Sequence, residues 1–103
     1  MLDTAAFTDL RSYIKRRVAK AKYYVGSTGY DVLLNDVAIK SDGTVRVQLP
    51  IAPNASSSVT VTRVELYNSA GDRWAYRNCS ITISTGQVGV LFWFDIKIEE
   101  EEE

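Results

Sequence analysis

The stretch from Ser58 to Ile98 most constrains how this chain can fold, because it contains three strand-like segments separated by short turns. The segments run over 59–67, 73–84 and 88–98, and each of the two polar breaks between them contains a glycine. Glycine in a short break between β-rich runs is typical of antiparallel hairpins. We therefore predict a three-stranded meander, whose apolar face needs a second layer of structure to cover it.

Two further strand-like runs precede the meander. The first covers residues 30–40, and a change of apolar parity at Asn35-Asp36 predicts a turn or bulge within it. The pair Asp42-Gly43 predicts a tight primed turn into the second run, Val45 to Ile51, whose alternation is strict. The polar segment 52–58 that follows is long enough to carry the chain to another sheet.

The spacing of these runs predicts a mainly β fold, an antiparallel two-sheet sandwich of the Ig/fibronectin-III-like or jelly-roll-like kind. One amphipathic α-helix is predicted at the N-terminus, because Phe7, Leu10 and Ile14 recur at helical spacing. The length of 103 residues indicates one domain. The expected organisation is a single domain, 1–103, with a helix over 4–18, a sandwich over 20–98 and an acidic tail over 99–103.

The alternation of apolar and polar residues also predicts the core. In the segment 59–67 the parity changes near Thr62-Arg63, so a bulge there is expected to keep both halves facing inward. In the segment 73–84 the parity also changes, from Trp74 and Tyr76 to Cys79, Ile81 and Ile83, whereas in 45–51 and 88–98 one parity is apolar throughout. The side chains that we expect in the core are Val45, Val47, Leu49, Ile81, Ile83, Val88, Val90, Phe92, Phe94, Ile96 and Ile98.

The composition excludes several kinds of active site. The sequence has no histidine and a single cysteine, Cys79, so imidazole-based catalysis and cysteine-rich zinc sites are absent. No glycine-rich phosphate loop precedes a helix. We predict a protein that is not an enzyme and that has no cofactor and no metal site. No apolar run has the length of a membrane span and the first residues lack a secretory signal, so we expect synthesis in the cytoplasm.

Four aromatic residues on the parity opposite to the core form a candidate contact surface. Because the second and third segments of the meander are expected to pair, we predict that Trp74, Tyr76 and Trp93 lie on one side of their sheet. Either the N-terminal helix covers this side, or it stays open to a neighbouring subunit or a sugar. The full candidate surface is Tyr24, Trp74, Tyr76 and Trp93.

Six basic residues lie between positions 11 and 22 with no acidic residue among them. Such a patch can bind nucleic acid. A solvated helix face explains the pattern better, because the whole chain has a net charge of −1 and an isoelectric point of about 5.4. Nucleic acid is therefore a less favoured partner, and we expect no membrane contact. The candidate basic patch is Arg11, Lys15, Arg16, Arg17, Lys20 and Lys22.

The sequences Thr62 to Asp72, Trp74 to Ser80 and Gly89 to Phe94 resemble small proteins encoded beside tail-fibre genes in tailed phages and prophages. The resemblance implies a structural role in or near the tail, incorporation into a virion and an oligomeric state, and it assigns no active residues. The segment Thr62 to Tyr67 is also similar to fibronectin-III-like and carbohydrate-binding sandwiches.

Taken with the missing catalytic groups, this resemblance predicts a non-enzymatic, phage tail-associated structural or assembly module that contacts protein subunits. Two alternatives stay open. The first is a carbohydrate-binding module that uses the exposed aromatic residues, with a glycan as partner. The second is a nucleic-acid-binding module that uses the basic N-terminal helix.

Overall fold

The computed structural model describes residues 2–53 and 57–98. The predicted helix is present and ends one residue earlier than expected, and the acidic tail lies outside the described residues. In chain order the elements are α1 (Thr4–Arg17), β1 (Lys20–Val25), β2 (Thr28–Val32), β3 (Asp36–Ile39), β4 (Val45–Ile51), β5 (Val59–Tyr67), β6 (Arg73–Ile83) and β7 (Val90–Ile96).

The strands form two antiparallel sheets, which confirms the predicted mainly β sandwich with one N-terminal helix. The larger sheet has the strand order β2-β1-β5-β6, and the smaller one has the order β3-β4-β7. The segment between β4 and β5 joins the smaller sheet to the larger one, as its length predicts. Residues 54–56 of that segment lie outside the described residues.

The predicted three-stranded meander is wrong at its second connection. Strand β6 pairs with β5, whereas β7 pairs with β4 in the other sheet, with Phe94 opposite Val47. The connection begins with a turn in which the Gln87 N–H donates to the Ser84 carbonyl oxygen, 3.0 Å away. Val88 and Gly89 then lengthen it beyond a tight hairpin. This extra length lets the chain cross from one sheet to the other.

The turn between β3 and β4 lies where Asp42-Gly43 predicts it, but its geometry differs from the expected primed turn. The Gly43 N–H donates to the Lys40 carbonyl oxygen at 2.9 Å, and among the described residues only glycines have positive φ. A primed type I′ turn requires positive φ at two successive residues. Here Gly43 alone has it, at φ 89°, so an ordinary turn is followed by one left-handed residue.

The predicted bulge near Thr62-Arg63 is confirmed, because the register of β5 on β6 shifts between Val61 and Arg63. The shift allows Val61 on one side of it and Val64 on the other to be fully buried. The parity change in the sequence is therefore a change of backbone register, and the apolar face stays continuous.

The core lies between the central strands of the two sheets. Each apolar residue of β4 that the alternation predicts is completely buried. Val47, Leu49 and Ile51 form one cluster with inward-facing residues of β1 and β5. Phe94 and Ile83 are buried as expected, at 5% and 4% exposure. The fully buried side chains are Val45, Val47, Leu49, Ile51, Val61, Val64 and Leu66.

The core prediction is less accurate on β6 and β7, because both are edge strands. Apart from Ile83 and Phe94, the inward side chains predicted in the core on these strands pack against it but are only half-buried: Ile81, Val90, Phe92 and Ile96. Ile98, just beyond β7, is also half-buried. The prediction that Val88 lies in the core is wrong, since Val88 lies in the connection before β7 and is 90% exposed.

Helix α1 contacts β3 and β4, and it packs only loosely. Ile14 is half-buried against the core and Val18, just after the helix, is buried, whereas Leu10 of the predicted apolar stripe is 42% exposed. No side chain of α1 itself is buried. Within the described residues, no helix has the length and apolar character needed to span a membrane.

Candidate functional site

The four aromatic residues of the predicted contact surface lie on two different sheets. Trp74 and Tyr76 are on β6 and Tyr24 is on β1, all in the larger sheet, whereas Trp93 is on β7 in the smaller one. The prediction that Trp74, Tyr76 and Trp93 share one side of a sheet is therefore wrong. Its physical basis was the pairing of β6 with β7, whereas β7 pairs with β4 in the other sheet.

Two arrangements were expected for the aromatic surface, either covered by the N-terminal helix or open. The two tryptophans differ in this respect. The ring of Tyr13 on α1 lies 6.0 Å from that of Trp74, at an interplanar angle of 35°, so the helix partly covers Trp74. Trp74 keeps 37% of its surface exposed. Trp93 is 50% exposed, and its described partner is Arg46 of β4 in its own sheet.

The six residues of the predicted basic patch also separate. Four lie on α1, where the Arg11 guanidinium is 5.5 Å from the Phe7 ring centre, and Arg16 and Arg17 are 6.0 and 5.9 Å from the Tyr13 ring centre. Lys20 and Lys22 lie on β1 in the larger sheet. The members on α1 are Arg11, Lys15, Arg16 and Arg17.

The outward side of the larger sheet brings together residues from both predicted sets. Lys22 of β1 is opposite Glu65 of β5, and Glu65 is opposite Tyr76 of β6. Their sequence neighbours Ala21 and Leu66 are buried in the core, so Lys22, Glu65 and Tyr76 face outward. We call this surface the four-stranded face; its residues are Lys20, Lys22, Tyr24, Arg63, Glu65, Tyr67, Arg73 and Tyr76.

Glu65 is the centre of the four-stranded face and is only 4% exposed. It accepts hydrogen bonds from the Tyr67 hydroxyl and from Arg73 Nη1, the latter at 3.1 Å. Arg63 Nε lies 3.0 Å from Glu65 Oε2 as an ion pair without hydrogen-bond geometry. The carboxylate therefore has two cationic neighbours and is shielded from solvent.

Burial is the largest influence on the pKa of Glu65 and raises it. The hydrogen bonds from Tyr67 and Arg73, together with the influence of the Tyr24 hydroxyl and the Arg63 charge, outweigh that influence, so the pKa of Glu65 is lowered overall. The same hydrogen bond raises the pKa of Tyr67, because the phenol must stay protonated to donate to the carboxylate. Glu65 is thus a charged anchor that fixes neighbouring side chains.

Aromatic rings and guanidinium groups alternate on this face. The guanidinium carbon of Arg63 is 4.3 Å from the Tyr76 ring centre, and that of Arg73 is 4.8 Å from it. Tyr76 remains 52% exposed. Tyr24 crosses over Gly29 so closely that a Cβ atom at Gly29 would lie 2.9 Å from its ring. The missing side chain at Gly29 therefore allows the Tyr24 ring to lie close to the sheet.

A groove of about 550 Å³ borders the four-stranded face on the side of β2. Lys20, Lys22 and Tyr67 contribute to its lining from the face, and Asp31 and Leu33 contribute from β2 and the segment after it. Lys22 Nζ is 3.9 Å from Asp31 Oδ1, and Asp31 is 89% exposed. An exposed pair at this distance contributes little to stability, so Lys22 can turn toward another anion.

A second exposed surface lies on the smaller sheet, around the start of β7. Val88 is 90% exposed and Leu91 is 49% exposed, and Leu91 is opposite Pro50 of β4. The residues Pro50, Ile51, Ala52 and 88–91 line a shallow pocket of about 270 Å³ there. We call this surface the β7 patch; its residues are Pro50, Ala52, Val88, Leu91 and Trp93.

Trp93 of the β7 patch is held in place by Arg46. The Arg46 guanidinium carbon lies 4.0 Å from the Trp93 ring centre. Arg46 Nε and Nη2 donate to the two carboxylate oxygens of Asp95 at 2.8 and 3.0 Å. The hydrogen bond from Arg46 lowers the pKa of Asp95, and it raises the pKa of Arg46. The two-point ion pair thus fixes the cation against the indole.

The sequence reasoning missed Arg63, Glu65, Tyr67 and Arg73. A signal was present for the first three, since they alternate with the core residues Val64 and Leu66 and must share the outward side of β5. Arg73 joins them through the pairing of β6 with β5. That pairing brings it opposite Tyr67, a relation that the sequence of one strand does not contain.

Among residues 2–53 and 57–98, no three side chains of His, Cys, Asp or Glu are grouped closely enough to hold a metal ion. Cys79 is half-buried, and burial raises the pKa of its thiol, which does not favour a reactive thiolate. No protein-family model, curated protein or solved structure matches this chain.

Proposed function

We propose that this chain is a non-enzymatic structural module that associates with further copies of itself through the β7 patch. The observation that carries this proposal is an exposed apolar surface with Trp93 at one side of it, 50% exposed and held by Arg46. Exposed apolar patches next to polar residues are typical of protein contact sites. Tryptophan and arginine are also the residues most enriched among those that dominate binding energy.

The arrangement around Trp93 lowers the cost of association. Because Arg46 is fixed by two hydrogen bonds to Asp95, the indole that it contacts needs little further ordering when a partner binds. The patch lies on β7, which is an edge strand of the smaller sheet. Edge strands with exposed apolar side chains favour contact with another chain.

A structural role in a phage tail is the wider context that we propose. It is supported by the resemblance of the strand sequences to proteins encoded beside tail-fibre genes. Virion proteins of this kind act as repeated subunits, and repeated subunits require a self-complementary or head-to-tail surface. The β7 patch is the surface that we assign to that contact.

We expect the mass of the chain in solution to rise with concentration toward a closed oligomer, as measured by sedimentation velocity. Trp93→Lys should weaken association by about 30-fold or more, the effect of removing a dominant interface residue. Leu33→Lys is the matched control, because Leu33 is 86% exposed but lies on the segment between β2 and β3. The control should associate like the wild type.

Tryptophan fluorescence gives an independent measurement. The sequence contains two tryptophans, so Trp74→Phe leaves Trp93 as the only one. Acrylamide should quench Trp93 efficiently in the monomer and less as the protein associates. A chain that stays monomeric, or an oligomer that Trp93→Lys does not weaken, would contradict the proposal. A monomer that binds immobilised sugars on a glycan array would instead favour the carbohydrate-binding alternative.

A further inference from the structure

We propose that the four-stranded face binds single-stranded nucleic acid, a function separate from association through the β7 patch. The local charge is the first reason. The face and the adjoining part of β2 contain the cations Lys20, Lys22, Arg63 and Arg73 and the anions Asp31 and Glu65. Cations therefore exceed anions by two on this surface, although the whole chain has a net charge of −1.

The buried carboxylate of Glu65 does not cancel the attraction between phosphate groups and the cations of this face. Glu65 is 4% exposed and lies beneath the Tyr67 hydroxyl, Arg63 and Arg73. The arginine side chains stay accessible, at 33% exposure for Arg63 and 48% for Arg73. A phosphate that approaches this face therefore meets guanidinium groups before it meets the carboxylate. Glu65 fixes these groups in advance, which reduces the ordering needed on binding.

The tyrosines supply the second reason. Tyr24 lies on β1 and Tyr67 on β5, the two central strands, and Tyr76 lies on the neighbouring edge strand β6. Four-stranded sheets that bind single-stranded RNA present aromatic side chains from their surface, and two or three bases stack on them. Four strands span about 14 Å, a width that accommodates such a short run of nucleotides.

The shape of the surface favours a single strand over a duplex. The base edges of a duplex are reached by an element that enters a groove, and this face consists of strand residues on a sheet. Unpaired bases can instead lie on the sheet with their phosphates beside the lysines and arginines. A sulfated polysaccharide would use the same cations, but it has no planar base to stack on Tyr24 or Tyr76.

Fluorescence anisotropy with a labelled thymidine oligonucleotide tests the proposal on the full chain. At low salt we expect binding that weakens as salt rises, with a slope of about −3 in log K against log salt if four cations contact phosphates. Tyr76→Ala should weaken binding by about tenfold through lost stacking. Lys22→Ala should weaken binding and make the slope less negative by about 0.7.

Matched controls come from outside the face. Lys40→Ala removes an exposed lysine beside the β3–β4 turn, and Trp93→Ala removes an exposed aromatic residue from the β7 patch; both should bind like the wild type. Gly29→Ala keeps every charge and should weaken binding by displacing the Tyr24 ring. Circular dichroism confirms that each variant is folded.

Three results would overturn the proposal. The first is no binding of the oligonucleotide at low salt. The second is equal affinity for a duplex of the same length. The third is binding that heparin displaces and that Tyr76→Ala and Gly29→Ala leave unchanged, which would indicate attraction to any polyanion. Loss of association in Trp93→Lys with retained oligonucleotide binding would separate this face from the β7 patch.

Discussion

Phe94→Ala is expected to lower the free energy of unfolding by about 3–5 kcal/mol, as measured by urea denaturation. Phe94 is 5% exposed and lies opposite Val47, one of the fully buried residues of β4. Truncation removes a large apolar surface from the core and leaves a cavity between two packed sheets. The loss would be a large part of the roughly 5–15 kcal/mol that holds a domain of this size together.

Phe92→Ala is the matched comparison, since it removes the same side chain two residues away on the same strand. Phe92 also packs against the core but is only half-buried, with its ring centre 6.4 Å from that of Phe94. We therefore expect a loss of about 1–2 kcal/mol, in proportion to the smaller buried area. Equal losses at the two positions would contradict the difference in burial between Phe94 and Phe92.

This pair of residues shows what the sequence alone can predict about the core. Both belong to an alternating apolar run, and alternation predicts which side of a strand faces inward. It does not predict depth, since Phe92 and Phe94 lie on the same side of the same edge strand and differ in burial. In β4 the same alternation is accompanied by complete burial, because β3 and β7 pair with it on either side.

The sequence predicted the fold class from the number of strands and the turns between them, but it did not predict that β7 pairs with β4. Gly86 has a φ of 88° and forms a turn at the end of β6. Such a turn is compatible with a hairpin and equally with the start of a crossover. The difference is made by the residues after it and by the free edge of β4, which offers β7 a partner with a fully buried apolar face.

In the candidate surfaces, too, some features could be predicted from the sequence and others could not. The exposed aromatic residues and the lysines of β1 were recognisable individually, from parity and charge. Their grouping was not, because it depends on strand order: β1 lies between β2 and β5, and β6 lies beyond β5. This order brings Lys22 and Tyr76 to the two sides of Glu65, although 54 positions separate them in the sequence.

Glu65→Ala is expected to have the second largest effect on stability, a loss of about 2 kcal/mol. Removing one partner of a fully buried ion pair costs about 3–5 kcal/mol. The loss is smaller here because Arg63 and Arg73 are partly exposed and can be solvated by water once the carboxylate is gone. Asp31→Asn is the matched control: it removes an exposed carboxylate and should change stability by less than about 0.5 kcal/mol.

The pH dependence of stability gives a sharper test of the same residue. The folded state lowers the pKa of Glu65 below its ordinary value of 4.5, so near that pH the unfolded chain binds more protons. The stabilisation is therefore complete well above pH 4.5 and is lost as the pH falls through the folded-state pKa. Glu65→Gln removes this titration, so its unfolding free energy should fall less steeply in acid than that of the wild type. Some acid dependence should remain, because the pKa of Asp95 is lowered too. Parallel curves for the wild type and Glu65→Gln between about pH 5 and pH 3 would show that Glu65 is not the anchor of the four-stranded face.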